Sequence, residues 1–297
     1  MKFVSSARVG IVVPVHNRLS HTQQLLAELR SSDHDEAMIV VVDDGSTDGT
    51  SEYLQERDPD VLVLHGGGDL WWSGSANLGC RFAIDRGAEV LVLLNNDDVR
   101  VSENCIDELV RCVDSSGGCA SAVALTGTSD RILQAGGLTR WPFRGIELRE
   151  SGRPFRREDR VVECDWLPGM TLAFSAELFE ELGGFDAEAF PQYCGDADFT
   201  LRARRHGRRC LVSYNCFVSN DEKTSGMHFY SRVSPVAFVS GLFSLRSSYR
   251  VDVVLRFALR HCPKHLIPAY LAQFYLRYAY ATLKTWLPAR LRLALTR

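Results

Sequence analysis

Short, uninterrupted apolar runs alternate along the first part of the chain with segments whose apolar residues recur every three to four positions. Arg8–Val15, Ala37–Val42, Val61–His65 and a run opening at Glu89 read as strands. The fourth is the most informative, because Val90-Leu91-Val92-Leu93-Leu94 has no polar alternation, as expected of a strand covered on both faces, and it stops abruptly at Asn95-Asn96-Asp97-Asp98. Between the strands the pattern predicts a helix from a Ser20 cap to about Arg30 with Leu25, Leu26 and Leu29 on one face, and a second ending near Arg57. A third runs from Asn77 to Asp85, after the glycine-rich turn Gly66–Gly74, and a fourth, capped by Ser102, spans Cys105–Ser115. This alternation predicts an α/β fold with a doubly wound, mostly parallel sheet, whose loops converge on one crevice at the strands' carboxyl ends.

From Gly118 to Cys164 the pattern weakens into short apolar runs and the charged stretch Arg144–Arg160, which suits an irregular β-rich insertion with an exposed loop. Regularity returns at Cys164–Phe174. Ser175 then caps a helix Ala176–Leu182, closed by Gly183-Gly184-Phe185-Asp186, and Gly195-Asp196-Ala197-Asp198 opens a helix Phe199–His206.

Composition adds compartment and charge. The chain of 297 residues is 45% apolar and 24% charged, ordinary for a soluble globular protein. Its nine cysteines are odd in number and form no C-x-x-C pair, and Met1–Ser6 lacks the apolar core of a signal peptide, so the expected compartment is the reducing cytoplasm. The charge-free run Val233–Leu245 is too short to span a bilayer as a helix. The net charge of −3 hides an asymmetry: from Arg246 onward ten basic residues face one acid, Asp252. Ile267, Tyr270, Leu271, Phe274, Tyr275 and Tyr278 recur in that tail at helical spacing, which suits either a helix docked on its own domain or a basic amphipathic helix on an anionic membrane surface.

Two acidic clusters carry candidate chemistry. Asp97 and Asp98 follow a buried strand, where carboxylates supply the hard oxygens that Mg²⁺ or Mn²⁺ prefers and where a divalent ion can bridge a diphosphate; a polar turn is the competing reading. Asp196 and Asp198 sit at a helix start, where capping competes with catalysis.

Laid in order, these pieces resemble glycosyltransferase family 2 enzymes of the GT-A fold. The resemblance rests on Val13-Pro14-Val15-His16-Asn17-Arg18, Val42-Asp43-Asp44-Gly45-Ser46-Thr47-Asp48, Leu93-Leu94-Asn95-Asn96-Asp97-Asp98, and Gly183-Gly184-Phe185-Asp186 followed by Gly195–Arg204; it covers roughly Val9–Val218. Among these enzymes the chain is most similar to bacterial rhamnosyltransferase-like members, which carry an Asn-Asn-Asp version of the metal motif and a Trp/Gly/Asn-rich stretch before it. The resemblance implies a GT-A domain over 1–245, with a nucleotide-binding half at about 8–116 and an acceptor-side half at about 117–245, followed by the helical tail 246–297. It implies that Asp43 or Asp44 accepts a base N–H, with Pro14, His16 and Arg18 lining the base and phosphate side. Asp97 would hold Mg²⁺ or Mn²⁺ on the donor diphosphate, with Asp98 or a water completing its shell and His228, on a loop, as a third candidate ligand. Asp196 matches the general base, and Gly195 departs from relatives that carry Glu there. Asn96, Gly169 and Asp198 join the expected substrate-binding residues, Asp198 with a helix-holding alternative. Trp72 is read as a donor-pocket wall or core, and Asn77 as a ribose or phosphate contact or a local cap.

The implied activity is an inverting, metal-dependent transfer of a sugar from a dTDP- or UDP-linked donor, rhamnose or a hexose, to a hydroxyl of a saccharide or lipid-linked acceptor in bacterial surface polysaccharide assembly. The alternative is a weakly catalytic sugar-nucleotide-binding or scaffold protein of the same fold. A nucleotidyltransferase would show a glycine-rich basic loop where Pro14-Val15-His16-Asn17 stands, and the acidic body opposes nucleic-acid binding. The expected location is the cytoplasm, peripheral on the inner membrane if the tail binds lipid.

Overall fold

A computed structural model describes residues 7–31, 37–57, 60–127, 129–220 and 235–286. They form two compact units, one of residues 7–138 and 148–220, the other of 139–147 and 235–286. The second unit thus recruits a hairpin from the middle of the chain, an exchange that a linear reading of 1–245 and 246–297 does not contain.

In the first unit, strands β1 (Val9–Val15), β2 (Ala37–Asp44), β3 (Leu62–Gly66) and β4 (Val90–Leu94) alternate with helices α1 (Leu19–Ser31), α2 (Thr50–Arg57) and α3 (Trp71–Ile84). β5 (Asp98–Val101), α4 (Cys105–Ser116), β6 (Cys119–Thr126) and β7 (Ile132–Gln134) follow, then β8 (Gly137–Arg140) and β9 (Gly145–Leu148), which pair as a separate hairpin. β10 (Val161–Cys164), β11 (Thr171–Ser175), α5 (Ala176–Leu182), α6 (Gly195–Arg205) and β12 (Cys210–Asn220) complete the unit. The main sheet runs β10-β12-β6-β11-β4-β1-β2-β3. β1 is parallel to β2 and β4, β2 to β3 and β6 to β12, while β11 runs antiparallel between β4 and β6. Since β4 and β6 both oppose β11, the carboxyl ends of β1, β2, β4 and β12 share one edge. The chain moves outward from β1 through β2 to β3 and returns to the other side of β1 as β4, so the topological switch point lies between β1 and β4, where open α/β sheets bind ligands.

The continuous apolar runs are explained by cover on both faces. Val12, Val40, Val42, Leu91, Leu93 and Phe174 enter one core with α3, α5 and α6, while Ile11, Val13, Val41, Val90, Val92 and Leu94 enter another with α1 and α4. Close approach of α3 needs Gly79, where a Cβ would stand 2.4 Å from Val12 Cγ1.

Several boundaries differ from expectation. Ser20 lies inside α1, and the helix's first N–H, on Leu19, is met by Asp48 Oδ2 at 2.8 Å from the loop after β2. Ser102 Oγ accepts from Phe217 N–H at 3.1 Å and so ties the loop to β12 instead of capping α4. Ser175 does cap α5, accepting from Leu178 N–H at 3.1 Å, and Gly183 ends the helix at φ 72°. The weakly patterned start of the expected insertion, Cys119–Thr126, is a buried central strand. Its small residues Ala120, Ser121, Ala122 and Ala124 diluted the apolar signal without changing the burial.

The second unit contains the β8–β9 turn and helices α7 (Pro235–Gly241), α8 (Val251–His261) and α9 (Ile267–Trp286). Its core gathers Val254, Ala258, Cys262 and Tyr270 with Trp141, Leu271, Phe274 and Tyr275. The Trp141 and Tyr270 rings meet edge to face at 4.8 Å. The aromatic stripe of the tail thus packs within the second unit.

Candidate active site

The loop after β1 and the turn after β2 lock together. His16 Nδ1 donates to the Asp44 carbonyl at 2.6 Å, Asn17 N–H to Ser46 Oγ at 2.6 Å, and Thr47 N–H to Asn17 Oδ1 at 2.9 Å. Both acids of the turn are almost fully buried and serve the backbone. Asp43 accepts from Ser46 N–H at 3.1 Å and from the Ser51 hydroxyl. Asp44 accepts from Gly68 N–H at 2.7 Å and Trp71 N–H at 3.0 Å, which sets the start of α3. Pro14 lies half-buried at the end of β1 beside them.

At the end of β4, Asp97 is 6% exposed. Its Oδ2 accepts from Arg18 Nη1 at 2.9 Å and its Oδ1 from Asn220 Nδ2 at 2.9 Å. Three strand ends, those of β1, β4 and β12, thus meet at one carboxylate. Asn96, 7% exposed, keeps its amide Nδ2 without a hydrogen-bond partner among the described residues, a buried donor that a ligand can satisfy. The Asp98 side chain and His228 lie outside the described residues.

From Asn95 a continuous chain of contacts leads to the second acid. Trp72 Nε1 donates to Asn95 Oδ1 at 3.0 Å, its ring covers Gly169, and Gly169 N–H donates to Asp196 Oδ2 at 2.7 Å. The other oxygen of Asp196 accepts from Ala197 N–H at 2.8 Å. Asp196 is half-buried in the first turn of α6, and no cation pairs with it among the described residues. Burial raises its pKa above the ordinary aspartate value, and the two backbone N–H bonds oppose that rise only in part. Backbone strain is concentrated around this edge: Asn17, Arg18, Trp71 and Cys194 all have positive φ, between 57° and 72°.

Gly195 has a steric reason. A Cβ there would stand 2.3 Å from Ser73 Oγ, which donates to the Phe190 carbonyl at 2.6 Å. A larger side chain would have to break that contact between α3 and the loop before α6.

Two expected substrate contacts are committed elsewhere. Asn77 donates from Nδ2 to the Phe185 carbonyl at 2.8 Å and accepts Phe185 N–H at 2.8 Å, clamping the Gly183–Asp186 turn with both ends of its amide. Asp198 is fully buried and pairs with Arg202 Nε at 2.8 Å; the same guanidinium donates to the carbonyls of Leu182 and Gly184, each at 2.7 Å. That arrangement holds the start of α6 to the turn after α5, with Asp198 fully enclosed and Asn77 partly exposed. Trp72 stands between the two acids and packs edge to face on Phe185 at 5.3 Å.

Gly169 leads to a direct prediction. A methyl there would stand 2.6 Å from Trp72 Cζ2 and 3.2 Å from Asp196 Cβ, so Gly169→Ala should lower kcat by about 10- to 100-fold by displacing the ring or the carboxylate. Steady-state kinetics with circular dichroism as the folding control checks it; an unchanged kcat would show that the ring yields freely.

The sheet has a GT-A-like architecture, and its switch-point crevice holds a cation-paired acid at a strand end and an acid without a cation partner, among the described residues, at a helix start. The Glycosyl transferase family 2 pattern matches residues 10–166, and the chain belongs to that family. It is 27% identical over 227 residues to an undecaprenyl-phosphate mannosyltransferase of Micrococcus luteus, a match covering 74% of this chain and 87% of that one. It is 26% identical over 227 residues to an N-acetylglucosaminyl-diphospho-decaprenol L-rhamnosyltransferase of Mycobacterium tuberculosis, covering 66% of this chain and 70% of that one. The fold is shared with a mannosyltransferase from Pyrobaculum calidifontis in complex with GDP-Man and Mn²⁺, at a TM-score of 0.57 and 17% identity over 93% of this chain and 72% of that one. The chain is thus a glycosyltransferase with bacterial mannosyl- and rhamnosyltransferase relatives.

Proposed function

We propose that this glycosyltransferase moves mannose, rhamnose or a related hexose from a nucleoside-diphosphate sugar to a hydroxyl of a lipid-linked saccharide, with inversion at the anomeric carbon. The observation that carries this reading is Asp196, a half-buried carboxylate without a cation partner, held by two N–H groups and joined through Gly169 and Trp72 to the Asp97 strand end. A hydroxyl nucleophile needs a base. A lipid phosphate, already anionic, needs none and would meet the charge of Asp196, so the site favours a sugar hydroxyl on a lipid carrier over the lipid phosphate itself.

Asp196 takes the proton of that hydroxyl while its oxygen attacks the anomeric carbon, and the nucleoside diphosphate leaves with the bonding electrons. Among the described residues no group of three or more His, Cys, Asp or Glu could hold a metal alone. One carboxylate with neighbouring amide oxygens does suit Mg²⁺ or Mn²⁺, which usually bind through one or two carboxylates plus substrate phosphates. Asp97 would hold such an ion, and the chemistry it supplies is neutralisation of charge on the departing diphosphate. Asn96 Nδ2 donates to a donor oxygen, and Pro14, His16 and the Asp43–Asp44 turn form the nucleoside side, each turn carboxylate oxygen keeping acceptor capacity beyond its protein bond.

Membrane contact belongs to the second unit. Among the described residues no helix is long and apolar enough to cross a membrane. Val251, Leu255 and Leu259 of α8 and Leu276, Tyr280 and Leu283 of α9 are exposed at one-turn spacings, beside exposed Arg256 and Arg277. These residues, opposite the packed stripe, lie on an anionic bilayer where the acceptor resides. Full-length protein should sediment with phosphatidylglycerol vesicles at low salt, and Leu255→Glu with Leu276→Glu should release it. Failure of the wild type to bind at low salt would remove the membrane role.

The activity is tested by incubating the protein and Mn²⁺ with GDP-mannose, dTDP-rhamnose and UDP-hexoses against polyprenyl-diphospho-N-acetylglucosamine and polyprenyl phosphate. Transfer to the saccharide hydroxyl is expected; transfer to the phosphate alone, or donor binding without transfer, would contradict the reading.

A further inference from the structure

Asp97 already has a cation. Arg18 Nη1 lies 2.9 Å from Oδ2, Asn220 Nδ2 lies 2.9 Å from Oδ1, and the carboxylate side chain is only 8% exposed. A negative charge so enclosed would carry a large desolvation cost without a partner. Arg18 supplies that partner from across the switch point, and its position is built in. Asn17 and Arg18 take φ of 58° and 72°, a conformation that non-glycine residues adopt only when their surroundings impose it. The surroundings are the Ser46 and Thr47 hydrogen bonds to Asn17 and the anchoring of Leu19 N–H on Asp48.

We propose that Arg18 stands in for the divalent ion: it neutralises Asp97 in the donor-free protein and releases that carboxylate only when diphosphate and metal arrive together. This rests on the reading of Asp97 as the metal-holding residue. A metal cannot take Oδ2 while the guanidinium occupies it, and the displaced guanidinium, about a third exposed, can turn to an incoming anion. The donor diphosphate is the anion the reaction delivers, so Arg18 moves from Asp97 to the diphosphate as the metal takes its place. Metal binding alone is weakened by the small fraction of time that Arg18 is off Asp97. Nucleotide and metal then raise each other's affinity by the same factor, because the linkage is reciprocal. Without a donor the crevice therefore binds metal more weakly than Asp97 alone would.

The test is Mn²⁺ binding to the full chain, followed by loss of the free-ion electron paramagnetic resonance signal, without any turnover. In the absence of nucleotide, Arg18→Gln should bind Mn²⁺ on the order of tenfold more tightly than wild type, the factor expected if Arg18 leaves Asp97 free about a tenth of the time. Adding Asp97→Asn should abolish that binding. Equal Mn²⁺ affinity in wild type and Arg18→Gln, lost in both on Asp97→Asn, would overturn the stand-in role while leaving Asp97 as ligand. Mn²⁺ binding that survives Asp97→Asn would instead overturn the underlying metal assignment. The wild type alone also decides the matter if Gln at position 18 prevents folding. Its Mn²⁺ affinity should rise in UDP, GDP or dTDP beyond what the nucleotide's own chelation accounts for, and an affinity unchanged by all three would overturn the proposal.

Discussion

Asp196→Asn should lower sugar transfer by about 10²- to 10⁴-fold, the usual contribution of a positioned general base. Asn is nearly isosteric and one of its ends can still accept from Gly169 or Ala197 N–H, so folding should survive, whereas its amide is a far poorer base. Donor affinity should stay near wild type, because Asp196 is separated from the Asp97 strand end by Gly169 and the Trp72 ring. The pH profile adds a second readout. Burial raises the pKa of Asp196, and the base works only when ionised, so the rate should climb with pH along a limb lying above the ordinary aspartate range near pH ~4. That limb should vanish in the residual activity of Asp196→Asn. Wild-type activity in the variant, or loss of donor binding, would return Asp196 to a helix-start or structural role.

Asp97→Asn should act on the other half of the reaction. Removing the one described carboxylate at the β4 end should weaken metal-dependent binding of nucleoside diphosphate by at least about 10- to 100-fold, a scale that even outer-shell changes reach at metal sites. Arg18 loses its partner in this variant but is about a third exposed and can turn to water, so the fold should persist. Calorimetric titration of UDP, GDP and dTDP with and without Mn²⁺ checks it. An affinity and metal dependence equal to wild type would remove Asp97 from the site.

Both acids were legible in the sequence because each sits where a pattern changes: Asp97 where an apolar run stops, Asp196 where a glycine turn gives way to a helix. Their partners were not. Arg18 is 79 residues from Asp97, and Asn220, 123 residues away, ends a strand whose direction depends on pairing with β6. Once that direction is known, the carboxyl-end rule points to Asn220. Asn77 and Asp198 show the opposite limit. Their residue types suit ligand binding and structure equally well, and their bonds to the Phe185 backbone and the Arg202 guanidinium, formed with residues distant or unpatterned in sequence, were not readable from it. Likewise the tail's helical periodicity was readable, but periodicity alone does not say which stripe faces inward; Tyr270 and Tyr278 are buried while Leu276 and Tyr280 are exposed.

The proposed transfer is a single displacement at the anomeric carbon, with Asp196 as the only base required. The most direct measurement is the anomeric configuration of the transferred sugar, read from the one-bond carbon–hydrogen coupling in the product of wild-type enzyme and a donor of known configuration. Inversion is expected; a product that retains the donor's configuration would rule out a single displacement.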